Sequence, residues 1–142
     1  MLVASNFSIG VNIFFEVNRF LAKRMNTHLD YKGGIEEIHH TEKKDQPSGT
    51  AITLAEGAIQ MLDHKSNWIN EQANKNDDLS IISKRIENVP GTHNITYTSA
   101  IDTIELKHTA HSREGFAKGA LLAAKWLKDK QGVFGMRDML GF

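Results

Sequence analysis

Between Leu79 and Ala110 the sequence is strand-rich in three successive segments, and this run constrains the fold more than any other feature. The segments are Leu79 to Ile86, Thr92 to Ser99 and Thr103 to Ala110, parted by Pro90-Gly91 and by a second short turn. Three strands in a row predict an antiparallel meander. In the last, Ile104, Leu106, His108 and Ala110 share one face while Thr103, Glu105, Lys107 and Thr109 share the other, so the sheet is expected to have unlike sides.

The rest of the chain supplies helices and one more strand. Gly10, Ile13, Phe14, Val17, Phe20, Leu21 and Met25 recur near a 3.6 period, which predicts a helix over 8–26 with Ser8 as its cap. From Asp30 to His40 the period becomes two, and Ile35 and Ile38 make parts of both faces apolar, as in an internal strand. Pro47-Ser48-Gly49-Thr50 hands over to a second helix, to about Met61, whose stripe is Ala51, Leu54, Ala55, Ala58, Ile59 and Leu62. Residues 63–78 have the composition of a mobile connection, with Trp68 and Ile69 able to anchor its middle. Ser112 is read as the cap of a third helix with the stripe Phe116, Ala117, Ala120, Leu121, Ala124 and Leu127. After it, Val133 to Leu140 leaves room for one helical turn or two. This order predicts one α+β domain: a mainly antiparallel or mixed four-stranded sheet with helices packed on one face.

Composition narrows the function classes. Lysines plus arginines equal aspartates plus glutamates at 17 each, so no overall field draws the chain to nucleic acid or to an anionic membrane. Cysteine is absent, which removes thiolate chemistry and sulfur-based zinc sites and agrees with a cytoplasmic setting. No apolar run approaches the roughly 18 to 20 residues that span a bilayer, so no membrane partner is expected.

The residues suited to chemistry fall together. Glu37-Ile-His39-His40-Thr-Glu-Lys43-Lys-Asp45-Gln-Pro47-Ser48-Gly49-Thr50-Ala51 puts two imidazoles at a strand end, a lysine in a loop and a glycine-softened helix start in close succession. At that helix start the amides of Gly49, Thr50 and Ala51 are expected to point outward unpaired, where an anion gains hydrogen bonds and roughly 0.3 to 1 kcal/mol from the helix dipole. A lysine adds a full positive charge, and a histidine can deliver a proton near neutrality. The pieces suit a dianionic substrate that must accept one proton. In an extended strand His39 and His40 face opposite ways, so one cleft admits both only if the strand has already ended.

The pattern H-H-x-x-K-x-D-x-P-S-G-T, complete here from His39 to Thr50, is similar to the signature of the 4-hydroxy-tetrahydrodipicolinate reductases. Ala4-Ser-Asn6-Phe7-Ser-Ile-Gly-Val-Asn12 resembles that family's hinge and first helix. Glu105 to Arg113 and Gly132 to Asp138 resemble its last strand and terminus. The resemblance implies His39 as general acid, Lys43 as a second catalytic or carboxylate-binding residue, and His40, Gly49 and Thr50 as substrate contacts, with Phe7 near the nicotinamide. It also implies an NADPH- or NADH-dependent reduction of a dicarboxylate in lysine and diaminopimelate synthesis, and a homotetramer formed through the other face of the sheet. Residues 1–142 correspond to the family's substrate-binding, catalytic and tetramerisation part, and they contain nothing like its N-terminal dinucleotide-binding domain, so this chain alone is expected to be inactive.

Two readings compete with this one. A non-catalytic dicarboxylate-binding or oligomerisation module needs the same residues without the chemistry. A metal site on His39, His40, His108 and His111 finds no H-x-H or H-E-x-x-H spacing, and no metal is expected.

Overall fold

The computed structural model describes residues 1–142, with elements in the order α1 (Ile9–Met25), β1 (Lys32–His39), α2 (Gly49–Ile59), β2 (Asn67–Ile69), β3 (Asp78–Arg85), β4 (Thr92–Thr98), β5 (Thr103–Thr109), α3 (Glu114–Leu127) and α4 (Met136–Leu140). The class is α+β, as expected, with helices on one face of a mixed sheet. The sheet has five strands rather than four, in the order β2-β3-β1-β4-β5. The extra one is β2, an edge strand around Trp68 inside the stretch read as a mobile connection, paired parallel to β3.

The meander expected over 79–110 does not form as a unit. Only β4 and β5 make an antiparallel hairpin, whereas β1 lies between β3 and β4, parallel to the first and antiparallel to the second. The reason is burial. β1 carries apolar or shielded side chains on both faces, so it belongs in the middle of the sheet, and the 86–91 segment must cross over its end to reach β4. That crossing is tied down where Ile86 N–H donates to the His39 carbonyl at 2.8 Å.

The odd residues of β1 face the helices. Ile35, Leu79, Ile81, Ile95 and Tyr97 meet Phe14 and Met25 of α1 and Ala51, Leu54, Ala55 and Ala58 of α2 in one core. The small residues of α2 let it lie close to the sheet, and all of its inward positions are buried. The even face carries Lys32, Glu36, Asn94 and Thr96, with Lys84 and Glu36 paired at 2.7 Å.

α1 buries a different stripe from the one expected. Val11, Phe14, Asn18, Ala22 and Met25 turn inward, while Ile13, Val17 and Phe20 are 45%, 42% and 60% exposed. Asn18 lies on the inward face, where its Nδ2 donates to the Leu54 carbonyl at 2.9 Å as α1 crosses α2. Only the amide nitrogen is paired there, since the buried Oδ1 of Asn18 has no partner.

α3 departs further from its expected stripe. Its N-cap position is Arg113, with the Ser112 hydroxyl accepting from Glu114 N–H at 3.2 Å, and only Gly119 and Ala123 are buried. It rests on the segment before α1 through a close backbone approach. A Cβ built at Gly119 would fall 1.8 Å from the Phe7 carbonyl oxygen, so only glycine admits this contact. The tail returns to the start of the chain, with Val3 N–H donating to Phe134 O at 2.9 Å and Phe134 N–H to Met1 O at 2.8 Å.

Candidate active site

β1 ends at His39, so His40 lies beyond the strand and is not bound by its alternation. Both imidazoles therefore reach one cavity of about 470 Å³, within the usual ligand-pocket range of roughly 300 to 1,000 Å³. Its wall includes Phe7, His39, His40, Lys43, Gly49 and Thr50, so the six site residues that the resemblance implies border one space, while Ala51, His108 and His111 do not. Ser5, Asn6, Asp45, Ser48, Pro90, Arg113 and Phe116 complete it.

The floor is the start of α2. Ser48 is the N-cap, and its Oγ accepts from Ala51 N–H at 3.1 Å. This corrects the expectation for Ala51, whose amide is sealed by the cap. The amides of Gly49 and Thr50 have no partner within the chain and remain available to an anion. The cap is itself held, because Ser48 Oγ lies 3.1 Å from His93 Nε2. With Oγ already accepting from Ala51, the hydroxyl proton goes to an imidazole that must be neutral. Burial, followed by the charge of the neighbouring His39, lowers His93 to about 3, which keeps it so.

The wall behind His39 is a buried polar cluster. Glu37 and His39 are two residues apart on β1 and share a face, and the Glu37 carboxylate contacts His39 Nδ1. Its other oxygen accepts from Arg85 Nη1 at 2.9 Å. Burial is the largest influence on Glu37 and opposes its ionisation, yet the hydrogen bonds from His39, Ser83 and Arg85 together outweigh it and lower the carboxyl to about 2. The His39 ring packs edge-on against His93, with centroids 5.0 Å apart. Its Nε2 has no partner and lies beside Gly91, where a Cβ would come within 3.2 Å. Glu37, His39 and His93 offer three atoms that could approach a metal ion, but Arg85 already supplies a cation to this carboxylate.

Two cations stand at the cavity. Lys43 Nζ is paired with Asp45 at 2.9 Å, and this pairing depresses the Asp45 carboxyl. Arg113 makes no ion pair within the chain, so its guanidinium is free for an anion. Asn6 joins the segment before α1 to the floor, with Nδ2 donating to Thr50 Oγ1 at 3.3 Å and Oδ1 accepting from Ser8 N–H at 2.8 Å. Lys44 is exposed, His108 packs 5.8 Å from the Phe14 ring, and His111 faces solvent.

Sequence reasoning passed over Glu37, Arg85, His93 and Asn6. Glu37 had a readable signal, since its spacing from His39 on a strand puts both on one face. Arg85 and His93 had none, because they arrive from strands paired across the sheet. A larger cavity of about 590 Å³ lies between α1, α2 and α4, but it contains no histidine, and its arginines Arg19 and Arg137 are engaged by Gln60 and Glu16.

Helices on one face of a mixed sheet, with a carboxylate-backed histidine, a lysine and two free helix amides at one end, define a domain suited to hold a small anion beside an imidazole. The chain belongs to the family described as dihydrodipicolinate reductase, C-terminus, whose model matches residues 10–140. It is 54% identical over 139 residues to a 4-hydroxy-tetrahydrodipicolinate reductase of Christiangramia forsetii, covering 98% of this chain and 58% of that protein. It is 37% identical over 143 residues to the one of Methanosarcina acetivorans, covering 99% and 53%. The chain thus spans little more than half the length of these relatives. Among solved structures, the dipicolinate-bound dihydrodipicolinate reductase of Paenisporosarcina sp. TG-14 shares the fold at TM-score 0.67 and 23% identity, over 94% of this chain and 52% of that one.

Proposed function

We propose that this chain is the substrate-binding and proton-donating part of an oxidoreductase that reduces 4-hydroxy-tetrahydrodipicolinate to tetrahydrodipicolinate in lysine and diaminopimelate synthesis. The observation that carries the reading is the convergence of His39, His40, Lys43, Arg113 and the free Gly49 and Thr50 amides on one cavity. A cyclic dicarboxylate has two anionic ends, and the cavity has two ways to hold them. One carboxylate accepts from the Gly49 and Thr50 amides in the field of α2. The other draws Lys43 away from the exposed Asp45, with Arg113 adding a planar fork of donors. His40 is assigned to substrate contact.

His39 is the general acid. Its Nε2–H bond breaks, the electron pair stays on nitrogen, and the proton goes to the substrate ring; a positioned acid contributes roughly 10²- to 10⁴-fold in rate. NADPH or NADH, when bound, supplies the hydride. Phe7 fits the flat face of a nicotinamide ring, since it borders the cavity that His39 borders, while residues 1–142 contain no glycine-rich strand-to-helix turn for the phosphates. We assign the phosphates to a dinucleotide-binding domain outside these residues. The even face of the sheet is assigned to homotetramer assembly; a monomer at high concentration in sedimentation would remove that assignment.

The site reading is tested by titrating the chain with pyridine-2,6-dicarboxylate. Saturable binding, weakened in Lys43→Ala, supports it, and no binding leaves a module of assembly alone. In the polypeptide that joins this chain to a nucleotide-binding domain, His39→Gln is expected to lower kcat by about 10²-fold or more with little change in KM, while Lys43→Ala harms both. Equal and small effects for His39 would refute its role.

A further inference from the structure

The wall behind His39 is built from charged groups that a purely structural wall does not need. Glu37 is fully buried, with 0% of its side chain exposed, and a carboxylate in that position is costly unless it is paired. Arg85 pairs with one of its oxygens, at 2.9 Å. The second oxygen is turned to His39 Nδ1. Arg85 then continues past Glu37 into the loop that carries Lys43, donating Nη2 to the Asp45 carbonyl at 2.7 Å and Nε to the Lys43 carbonyl at 3.4 Å. One guanidinium thus touches both the support of the imidazole and the backbone of the lysine.

We propose that Glu37 is a positioning residue for proton delivery, acting through His39, and that Arg85 sets the relative placement of Glu37 and the Lys43 loop. The inference rests on the reading of His39 as the proton donor. A carboxylate at Nδ1 holds the Nδ1–H bond, so the imidazole keeps its other nitrogen for exchange with the cavity. When Nε2 has given its proton to the substrate, His39 is left as the neutral ring protonated on Nδ1. The same Nε2 then takes the next proton from solvent, and the ring needs no turn between cycles. Without Glu37 the ring can carry its proton on either nitrogen, and half of those arrangements cannot accept at the cavity side.

The charged and titratable groups around His39 are Glu37 on its own strand, Arg85 from β3, His93 from β4, and His40, Lys43 and Asp45 in the adjoining loop. Glu37→Gln keeps the shape, removes the charge and leaves one acceptor oxygen where there were two. In the polypeptide with its nucleotide-binding domain, kcat is expected to fall roughly 10- to 100-fold, the range for loss of a group that orients a histidine. KM and affinity for pyridine-2,6-dicarboxylate should stay within a few-fold, which also reports that the variant has folded. The alkaline limb of kcat against pH should move to lower pH, because the imidazolium has lost a neighbouring anion. A wall residue with only a packing role would not move that limb. Arg85→Lys should show the complementary pattern, a raised KM with the limb in place. Should Glu37→Gln fail to fold, nitrogen-15 correlation spectra of the unsubstituted protein decide the matter: neutral His39 is expected to carry its proton on Nδ1, and a proton on Nε2 overturns the proposal. If His39→Gln abolishes turnover while Glu37→Gln changes neither kcat nor the limb, Glu37 has no such role and the functional reading stands. If His39→Gln leaves turnover intact, both fall together.

Discussion

Two helices of this chain, α2 and α3, are alike in composition and differ in fate. α2, GTAITLAEGAI, buries Ala51, Leu54, Ala55, Gly57 and Ala58 against the sheet. α3, EGFAKGALLAAKWL, buries only Gly119 and Ala123 and leaves Leu121 57% and Leu122 45% exposed. An apolar stripe at helical spacing says that a face repays covering, not what covers it. α2 has the sheet beneath it and the site at its N-terminus. α3 has a backbone contact at Gly119 and an outer face that no part of residues 1–142 covers.

The contrast can be tested by how each end responds to perturbation, and acid should act most strongly, at the α2 end. His93 falls from 6.5 unfolded to about 3 in the fold, and Glu37 from 4.5 to about 2. In both cases the unfolded chain binds more protons across the window, so stability is full above the unfolded value and is lost as pH falls. Urea midpoints should begin to drop below about pH 6.5 through His93 and steepen below about 4.5 through Glu37. Midpoints that stay flat from pH 7 to 4 would contradict the buried cluster. Next in size is Leu54→Ala, expected to cost about 2 to 5 kcal/mol in denaturant unfolding because Leu54 is fully buried.

Gly119→Ala should follow, at about 1 to 3 kcal/mol, since its Cβ has no room beside the Phe7 carbonyl. Its signature is local: faster amide exchange along α3 with the β1 and β4 amides unchanged. The smallest effect belongs to Leu121→Ala, within about 0.5 kcal/mol in this chain, as for an exposed surface position. A cost above about 1 kcal/mol there would mean that α3 is covered after all, for instance by a second copy.

The local parts of the candidate site are legible in the sequence. His39, His40, Lys43, Gly49 and Thr50 lie within one short stretch, and a strand end followed by a capped helix brings such neighbours together whatever the rest of the chain does. Glu37 was legible in principle, two residues from His39 on a strand. The inward face of α1 was misread because Asn18 looks like a surface residue until the Leu54 carbonyl is seen opposite it. The apolar stripe of α3 was legible but not what covers it, because periodicity carries no information about which partner is present.

What the sequence determined by itself is the main helices and strands apart from β2, a hydroxyl cap at the start of α2 and the order of the acid–base and anion-binding groups, because these follow from backbone propensity and from spacing along a few residues. The tertiary structure alone decided that β1 lies between β3 and β4. Strand order is set by which strand gains most from burial on both faces, a competition among segments far apart in the chain. From that choice come Arg85 at the carboxylate of Glu37, His93 beneath Ser48, and Gly91 beside the free nitrogen of His39.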